Sequence, residues 1–264
     1  MSDSERRQIM NRYRGNAIAV GLLLIACTAT SILSAVPLGS MLDRSDYLNQ
    51  LAAIDSRVIW TALIEFVWAA TGAGIAIGLY PVIRRHNRAL ALGSVAGRVA
   101  EGVFVLIGTL SLLVLLTVSQ QSLAPGADAA SFRATGDALL AVRGWTTGFL
   151  GMLPFLTAAL LYYYVLYRAR LVPRWLSGWG IVGAVLGLVA TVYSGYTQDF
   201  GFSTLNTVLY IPIGLQEMVL AVWLLAKGFN ASSVDGGADS IRSSDAGRTT
   251  GRVRQESSTG EVPS

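Results

Sequence analysis

Six long apolar segments, separated by shorter polar ones, dominate the pattern of hydrophobic and polar positions along the chain. They cover about residues 16–36, 58–83, 89–119, 144–167, 176–196 and 204–227. A helix of about 20 residues crosses the ~30 Å hydrocarbon core of a bilayer, and every segment reaches that length. The pattern therefore predicts an all-α, polytopic membrane protein in which residues 16–229 form a six-transmembrane-helix bundle.

The two ends of the chain differ from this central part. Residues 1–15 are polar and basic, and we interpret them as a cytoplasmic N-terminal segment. The first apolar segment is longer than the roughly 7–15 residues of a signal-peptide core, so we predict a membrane span there. Residues 230–264 are rich in Ser, Thr, Gly, Asp and Arg and contain no aromatic residue. Such a composition cannot bury enough apolar surface to fold alone, which predicts a disordered cytoplasmic tail.

Three local features modify the simple picture of six straight spans. A short surface helix is predicted at residues 45–54, within the polar connection between the first two spans. Residues 131–143 form a predicted amphipathic lead-in to the fourth span. Pro154 lies inside that span and is expected to bend it, because proline removes a helical N–H and crowds the preceding turn.

Composition narrows the class of protein and its partners. Hydrophobic residues make up 53% of the chain and charged residues 14%, against about 25% charge in soluble domains. The lipid bilayer is therefore the expected partner, and the lack of a dense basic patch interleaved with aromatic residues argues against nucleic acid. Cys27 is the only cysteine and His86 the only histidine. We therefore predict neither a metal site nor a cofactor of the usual Cys/His kinds.

The distribution of basic residues predicts the orientation in the membrane, since cytoplasmic loops carry the excess of Lys and Arg. With the N-terminus in the cytoplasm, the outer side has only Arg44, Arg57, Arg133 and Arg143. The inner side then carries fifteen basic residues: Arg6, Arg7, Arg12, Arg14, Arg84, Arg85, Arg88, Arg168, Arg170, Arg174, Lys227, Arg242, Arg248, Arg252 and Arg254. We predict a multi-pass protein of the cell membrane with both termini cytoplasmic.

Ionisable residues inside the predicted spans are the candidate functional residues. They are Glu65, Arg98, Glu101 and Glu217, with Arg143 at the outer mouth of the fourth span. A charge near the bilayer centre costs about 2.5–3.5 kcal/mol on insertion scales, so these residues are expected to face the bundle interior as one polar cluster. We predict that Arg98 pairs with a glutamate on a neighbouring helix, Glu65 or Glu217, and that Glu101 shares the network.

Three segments carry a family resemblance: RVAEG at residues 98–102, RLVPRWLSGWG at 170–180 and QEMVLAVWLLAKGF at 216–229. In order and spacing they resemble the uncharacterised prokaryotic membrane family called domain of unknown function 4386, over roughly residues 12–229. The resemblance implies an integral protein of a prokaryotic cytoplasmic membrane with six helices. It implies no reaction and transfers no catalytic residue.

Three functional classes stay open at this point. A structural or regulatory membrane protein, with a dry and fully paired charge cluster, is the first interpretation, and its protein partners are open. A small-solute or proton-coupled carrier is the alternative, and it requires Glu65, Glu101 and Glu217 around one water-accessible cavity. A membrane enzyme is disfavoured, because HExxH, GxSxG and P-loop patterns are absent and no histidine base accompanies a Ser or Cys nucleophile.

Overall fold

The computed structural model describes residues 3–38, 40–200 and 203–230, with side chains from Tyr13 onward. These residues form helices and their connections, without a β-strand. The helices are α1 (Asp3–Leu33), α2 (Tyr47–Ala52), α3 (Asp55–Ile83), α4 (Arg88–Ser122), α5 (Ala129–Arg143), α6 (Met152–Arg168), α7 (Arg174–Thr197) and α8 (Thr204–Ala226). A 3-10 turn lies at Met41–Asp43 and a π-helical segment at Gly144–Leu150.

Six helical stretches are long and apolar enough to cross a membrane, which confirms the predicted all-α, six-helix membrane fold. They are Tyr13–Leu33, Asp55–Ile83, Arg88–Ser122, Ala129–Arg168, Arg174–Thr197 and Thr204–Ala226. Large apolar side chains such as Trp60, Leu110 and Val222 are exposed on the outside of the bundle. Such a surface is typical of helices that face lipid, because lipid tails are as apolar as these side chains and exposing the side chains to them costs no hydrophobic free energy.

The long helices form a closed ring, in which α1 packs on α3, α3 on α4, α4 on α6, α6 on α7, α7 on α8 and α8 on α1. Short connections make successive members antiparallel. We call the end where α1 begins and α8 ends the basic end; the α3–α4 and α6–α7 turns lie there too. At the opposite end, α2 packs on α4 through Tyr47 and Leu51, beside Leu112 and Leu115.

Arg14 joins the first and last helices at the basic end. Its guanidinium donates to the carbonyl oxygens of Leu224 at 3.2 Å, Leu225 at 2.6 Å and Ala226 at 3.3 Å. The last carbonyls of a helix have no partner within the helix, and a cation is favourable against the negative end of the helix dipole. Arg14 therefore caps α8 from α1 and closes the ring at this end.

The fourth span is helical throughout and consists of α5, the π-helical segment and α6. Its departure from α-helical geometry, the π-helical segment, lies before Pro154. In the π-helical segment, the Gly151 N–H donates to the Thr146 carbonyl, five residues earlier, at 2.8 Å. Pro154 crowds the carbonyl four residues before it, which belongs to Leu150, the last residue of that segment. The strain that proline imposes on the helix thus falls at the end of the π-helical segment, while α6 continues to Arg168.

At the N-terminal end of the chain, the first helix begins earlier than the sequence predicted. α1 begins at Asp3, so much of the predicted N-terminal segment 1–15 continues the first helix. The predicted tail, residues 230–264, lies outside the described residues except for Asn230. The Asn230 N–H donates to the Leu171 carbonyl at 2.9 Å, which holds the chain after α8 against the α6–α7 turn.

Candidate functional site

Arg98 and Glu101 lie side by side on the face of α4 that points into the ring. Residues three apart on a helix share a face, and Arg98 Nη1 lies 2.9 Å from Glu101 Oε2. Arg98 is only 1% exposed and Glu101 4%. This ion pair is therefore sealed inside the bundle, at ~15 Å along α4 from its start at the basic end, at ~1.5 Å per residue.

The rest of the Arg98 guanidinium contacts three other helices. Its Nε donates to the Gly72 carbonyl of α3 at 3.1 Å, and its Nη2 donates to Cys27 Sγ of α1 at 3.3 Å. The guanidinium carbon lies 4.7 Å from the centre of the Phe155 ring of α6. A Cβ on Gly72 would lie 3.0 Å from Nη2, so the missing side chain provides the room for the guanidinium.

Glu217 of α8 also faces the ring interior, but it is only partly hydrogen-bonded. Its Oε2 accepts from the Thr28 hydroxyl at 3.3 Å. Its Oε1 is buried without a hydrogen-bond partner, as are the Tyr162 hydroxyl of α6 and Glu101 Oε2. Glu101 Oε2 differs from Glu217 Oε1 in lying within ion-pair distance of Arg98. Glu217 is close enough to interact electrostatically with both Arg98 and Glu101. We call Cys27, Arg98, Glu101, Tyr162 and Glu217 the central cluster.

A second polar layer neighbours the central cluster between α6, α7 and α8. The Tyr163 hydroxyl donates to Gln216 Oε1, and Gln216 Nε2 donates to the Leu176 carbonyl at 3.1 Å. The Tyr163 ring lies against Gly180, where a Cβ would be only 2.7 Å away. These bonds satisfy the side chain of Gln216, the residue that precedes Glu217, and they hold α8 against α6 and α7.

A separate ion pair, which we call the peripheral pair, lies nearer the opposite end. Glu65 of α3 pairs with Arg143 at the end of α5 and accepts from the Thr109 hydroxyl at 2.7 Å. Arg143 Nη1 also donates to the Gly108 carbonyl at 3.0 Å. The Glu65 side chain is 2% exposed and that of Arg143 18%, so the guanidinium reaches in from the rim to a buried carboxylate.

The structure thus divides the predicted cluster in two and corrects the predicted partner of Arg98. Arg98 forms its ion pair with Glu101 of its own helix, and the predicted ion pair with Glu65 or Glu217 is not found among the described residues, although Glu217 is close enough to Arg98 to interact electrostatically. For Glu65 the reason is depth: Thr109, which contacts Glu65, lies eleven residues or ~16 Å along α4 from Arg98. An Arg side chain is too short to cross this distance, whereas Glu101, one turn along the same helix, is within reach.

Several residues of the site gave no sequence signal. Cys27, Thr28 and Thr109 lie in apolar runs where Ser, Thr and Cys are common, and Tyr162 begins a tyrosine run that favours interface anchoring. Only the packing brings them to the charged groups. Across the parts of the chain that the structure describes, no group of three or more His, Cys, Asp and Glu side chains is arranged to hold a metal ion.

A groove of about 500 Å³ lies at the opposite end, between the end of α1 and the start of α3. Ile54, Arg44 and Arg57 are among its lining residues, whereas Glu101 and Glu217 are not. The groove is therefore not formed by the central cluster, whose carboxyls are buried, with Glu101 4% and Glu217 8% exposed.

Comparison with known proteins identifies a family for this chain. No curated protein and no solved structure matches the chain significantly. A family model matches residues 19–228, from the first membrane span to the end of the last, and includes every residue of the central cluster and the peripheral pair. The chain therefore belongs to the family described as domain of unknown function (DUF4386).

Proposed function

We propose that this protein binds a proton within the membrane at Glu217 of the central cluster, and that it acts as a proton-coupled membrane carrier. Glu65 lies outside the central cluster, so the proposed proton site is Glu217 alone and not the water-accessible cavity of three glutamates that the sequence suggested. The observation behind the proposal is the buried Glu217 Oε1, which has no hydrogen-bond partner. An ionisable residue inside a membrane bundle is costly and typically marks a substrate or proton pathway.

The charges in the central cluster support a proton as the ligand. Arg98 is the one cation of the cluster and is engaged by Glu101 at 2.9 Å. A second ionised carboxylate, Glu217, then lacks a cation of its own, and an uncompensated buried charge costs several kcal/mol. Binding a proton removes that charge. It also turns the carboxyl from an acceptor into a donor.

Packing around the cluster also favours a very small ligand. A Cβ on Gly72 would already lie 3.0 Å from Arg98, and Glu101, Phe155 and Cys27 also contact the guanidinium. A proton needs no cavity, whereas a larger cation needs one. Thr28 and Glu217 come from α1 and α8, so a change in the charge of Glu217 acts directly on the contact that closes the ring.

Infrared spectroscopy of the purified protein in lipid tests the proposal. The carbonyl stretch of a protonated carboxyl should appear and disappear as pH is varied, and Glu217→Gln should remove that band. Glu65→Gln serves as the matched control, because its carboxylate is paired with Arg143 and hydrogen-bonded by Thr109. An unchanged band in Glu217→Gln would rule out Glu217 as the proton site.

A structural clamp is the second candidate, favoured by the contacts of Arg98 to α1, α3 and α6. A clamp explains Arg98 and Glu101, but not a buried Glu217 oxygen that has neither a hydrogen bond nor an ion pair. The two candidates differ in liposomes with a pH-sensitive dye trapped inside. A carrier should move protons in a manner abolished by Glu217→Gln, whereas a clamp should leave the dye signal equal to that of empty liposomes.

A further inference from the structure

The groove at the end opposite the basic end has the size of a ligand site and two unlike surfaces. Its volume is about 500 Å³, within the range of about 300–1,000 Å³ that is typical of small-molecule sites. Leu38, Met41 and Ile54 line its apolar side, whereas Arg44 and Arg57 line its basic side. A ligand that fits both surfaces combines an apolar portion with an anion.

The walls of this groove are fixed by contacts with the rest of the bundle. Leu38 is 7% exposed and belongs to the same apolar core as Tyr47. The Tyr47 hydroxyl of α2 donates to Asp137 Oδ1 of α5 at 2.8 Å, and the Ser119 hydroxyl of α4 donates to the Leu48 carbonyl of α2. Since α2 forms one wall, the shape of the groove exists before a ligand binds, as in most ligand sites.

The two guanidinium groups of the groove have no ion-pair partner among the described side chains. Arg44 Nη1 donates to Gln50 Oε1 at 3.5 Å, which leaves most of the five donors of this guanidinium unused. Three carboxylates of the same segment do not line the groove: Asp43, Asp46 and Asp55. A guanidinium matches a carboxylate in a forked contact, so a carboxylate is the anion that this pair of arginines fits.

The groove opens at the depth where a bilayer changes from headgroups to acyl chains. Arg57 lies in the first turn of α3, whose membrane span begins at Asp55. Trp60, about one turn deeper, is 64% exposed on the outside of the bundle, and Trp side chains at the ends of spans lie at the membrane–water interface. An amphiphile in a bilayer keeps its charged head at this level and its chain among the acyl chains.

We propose that the groove binds a single-chain lipid carboxylate, a long-chain fatty acid anion, with its carboxylate between Arg44 and Arg57 and its chain against Leu38, Met41 and Ile54. A groove of about 500 Å³ suits one hydrocarbon chain, whereas a phospholipid carries two. Charge complementarity, the apolar side of the groove and its depth in the bilayer support this ligand. The inference is independent of the proton site, because no residue of the central cluster lines the groove.

Photoaffinity labelling of the full-length protein in phosphatidylcholine nanodiscs tests the proposal. The probe is a palmitate analogue with a diazirine on its chain, used at mildly alkaline pH so that its carboxyl is ionised, and mass spectrometry locates the labelled residues. The labelling that excess palmitate removes should concentrate in residues 36–38 and 53–57. Palmityl alcohol, which has the same chain without the charge, should compete about tenfold less well, which corresponds to ~1.4 kcal/mol.

Substitutions separate the contribution of charge from that of the apolar side. Arg57→Gln should weaken the competition by palmitate about fivefold, or ~1 kcal/mol for one exposed ion pair, and Arg44→Gln should act in the same direction. Arg88→Gln is the matched control, because Arg88 is exposed at the start of another span, α4, at the basic end. Ala53 is exposed and lines the groove, so Ala53→Trp should block labelling without a change of charge, whereas Ala53→Ser should preserve it.

Three results would overturn the proposal. Palmityl alcohol that competes as well as palmitate would show that the groove does not recognise the carboxylate. Equal effects of Arg57→Gln and Arg88→Gln would assign any preference to the overall charge of the protein. Palmitate-sensitive labelling spread over lipid-facing side chains such as Leu110 and Val222 would show that the probe samples the whole outer surface and not this groove.

Discussion

At the level of single residues, Arg98 explains how a permanent charge is held inside this bundle. A guanidinium cannot lose its proton in a protein, so burial requires that its donors be met. The Gly72 carbonyl and Cys27 Sγ accept from Arg98, Glu101 neutralises its charge as an ion-pair partner, and Phe155 covers one side. Glu217 has no ion-pair partner of its own, and this difference separates a stabilising pair from a candidate proton site.

Removing the Arg98 charge should strongly destabilise the protein. Arg98→Leu leaves Glu101 buried without its cation, and breaking one side of a buried pair typically costs about 3–5 kcal/mol. Unfolding free energies of the single and double variants in detergent measure this. Arg98→Leu and Glu101→Gln should be strongly coupled, whereas Arg98→Leu and Glu65→Gln should be additive. Equal coupling to Glu65 would contradict the division into two charge clusters.

His86, in the turn between α3 and α4, should make stability depend on pH. Burial and the neighbouring Arg85 lower the pKa of this imidazole below its ordinary value of 6.5, and its Nε2 is buried without a hydrogen-bond partner. The folded protein thus binds the proton less readily than the unfolded chain, so the contribution of His86 is complete above pH 6.5 and decreases as pH falls below it.

The measurement is a series of thermal unfolding curves from neutral to mildly acidic pH. His86→Gln should lose less stability than the wild type as the pH falls below 6.5. Because Glu217 also binds a proton in our proposal, the same series in a Glu217→Gln background isolates the histidine. Parallel curves for the two proteins would show that His86 is equally easy to protonate when folded and unfolded.

At the level of helices, small residues decide how closely neighbours approach, as is common in membrane bundles. On α4, a Cβ at Gly97 would lie 2.8 Å from the Pro154 carbonyl and 2.9 Å from the Ala158 Cβ. The obstacle is the backbone of α6, which cannot move aside as a flexible side chain can. This contact sets the spacing that brings Phe155 and Tyr162 to the central cluster.

Gly97→Ala should therefore destabilise the bundle, by about 1–3 kcal/mol as for other overpacked sites. Gly214→Ala is the control: it lies in α8 with no atom within 4 Å of the added Cβ, and alanine gains up to about 1 kcal/mol of helix propensity over glycine. Thermal unfolding in detergent compares them. A Gly97→Ala variant as stable as Gly214→Ala would mean that α4 and α6 separate easily.

At the level of the whole molecule, the ring has two chemically different ends. Arg14 closes the ring between α1 and α8 at the basic end, and the side chains described there include arginines and Lys227 but no Asp or Glu. The positive-inside rule predicts that such an end lies in the cytoplasm. This orientation remains a prediction.

Cysteine labelling tests the orientation. In a Cys27→Ser background, single cysteines in the 84–88 turn and in residues 125–130 should react with a membrane-impermeant thiol reagent from opposite sides of the membrane. In intact cells only the cysteine in residues 125–130 should be labelled. Labelling of the 84–88 turn in intact cells would reverse the orientation, and labelling of both would contradict the six-span path.

The sequence alone determined the number and nature of the spans, because the length and hydrophobicity of a segment are local properties and a bilayer core has a nearly constant thickness. It also identified the charged residues that must face inward and, through three segments, the family. Glu65, Arg98, Glu101, Arg143 and Glu217 are buried or partly buried, as expected for residues that avoid lipid.

The tertiary structure decided which of these residues meet. Depth and rotation of each helix depend on packing with its neighbours, and no local pattern encodes them. For that reason Glu65 contacts Arg143 and Thr109, Arg98 contacts Glu101 and Cys27, and Glu217 retains an oxygen without a hydrogen-bond partner. The closed ring arises in the same way, since it joins helices from the two ends of the chain.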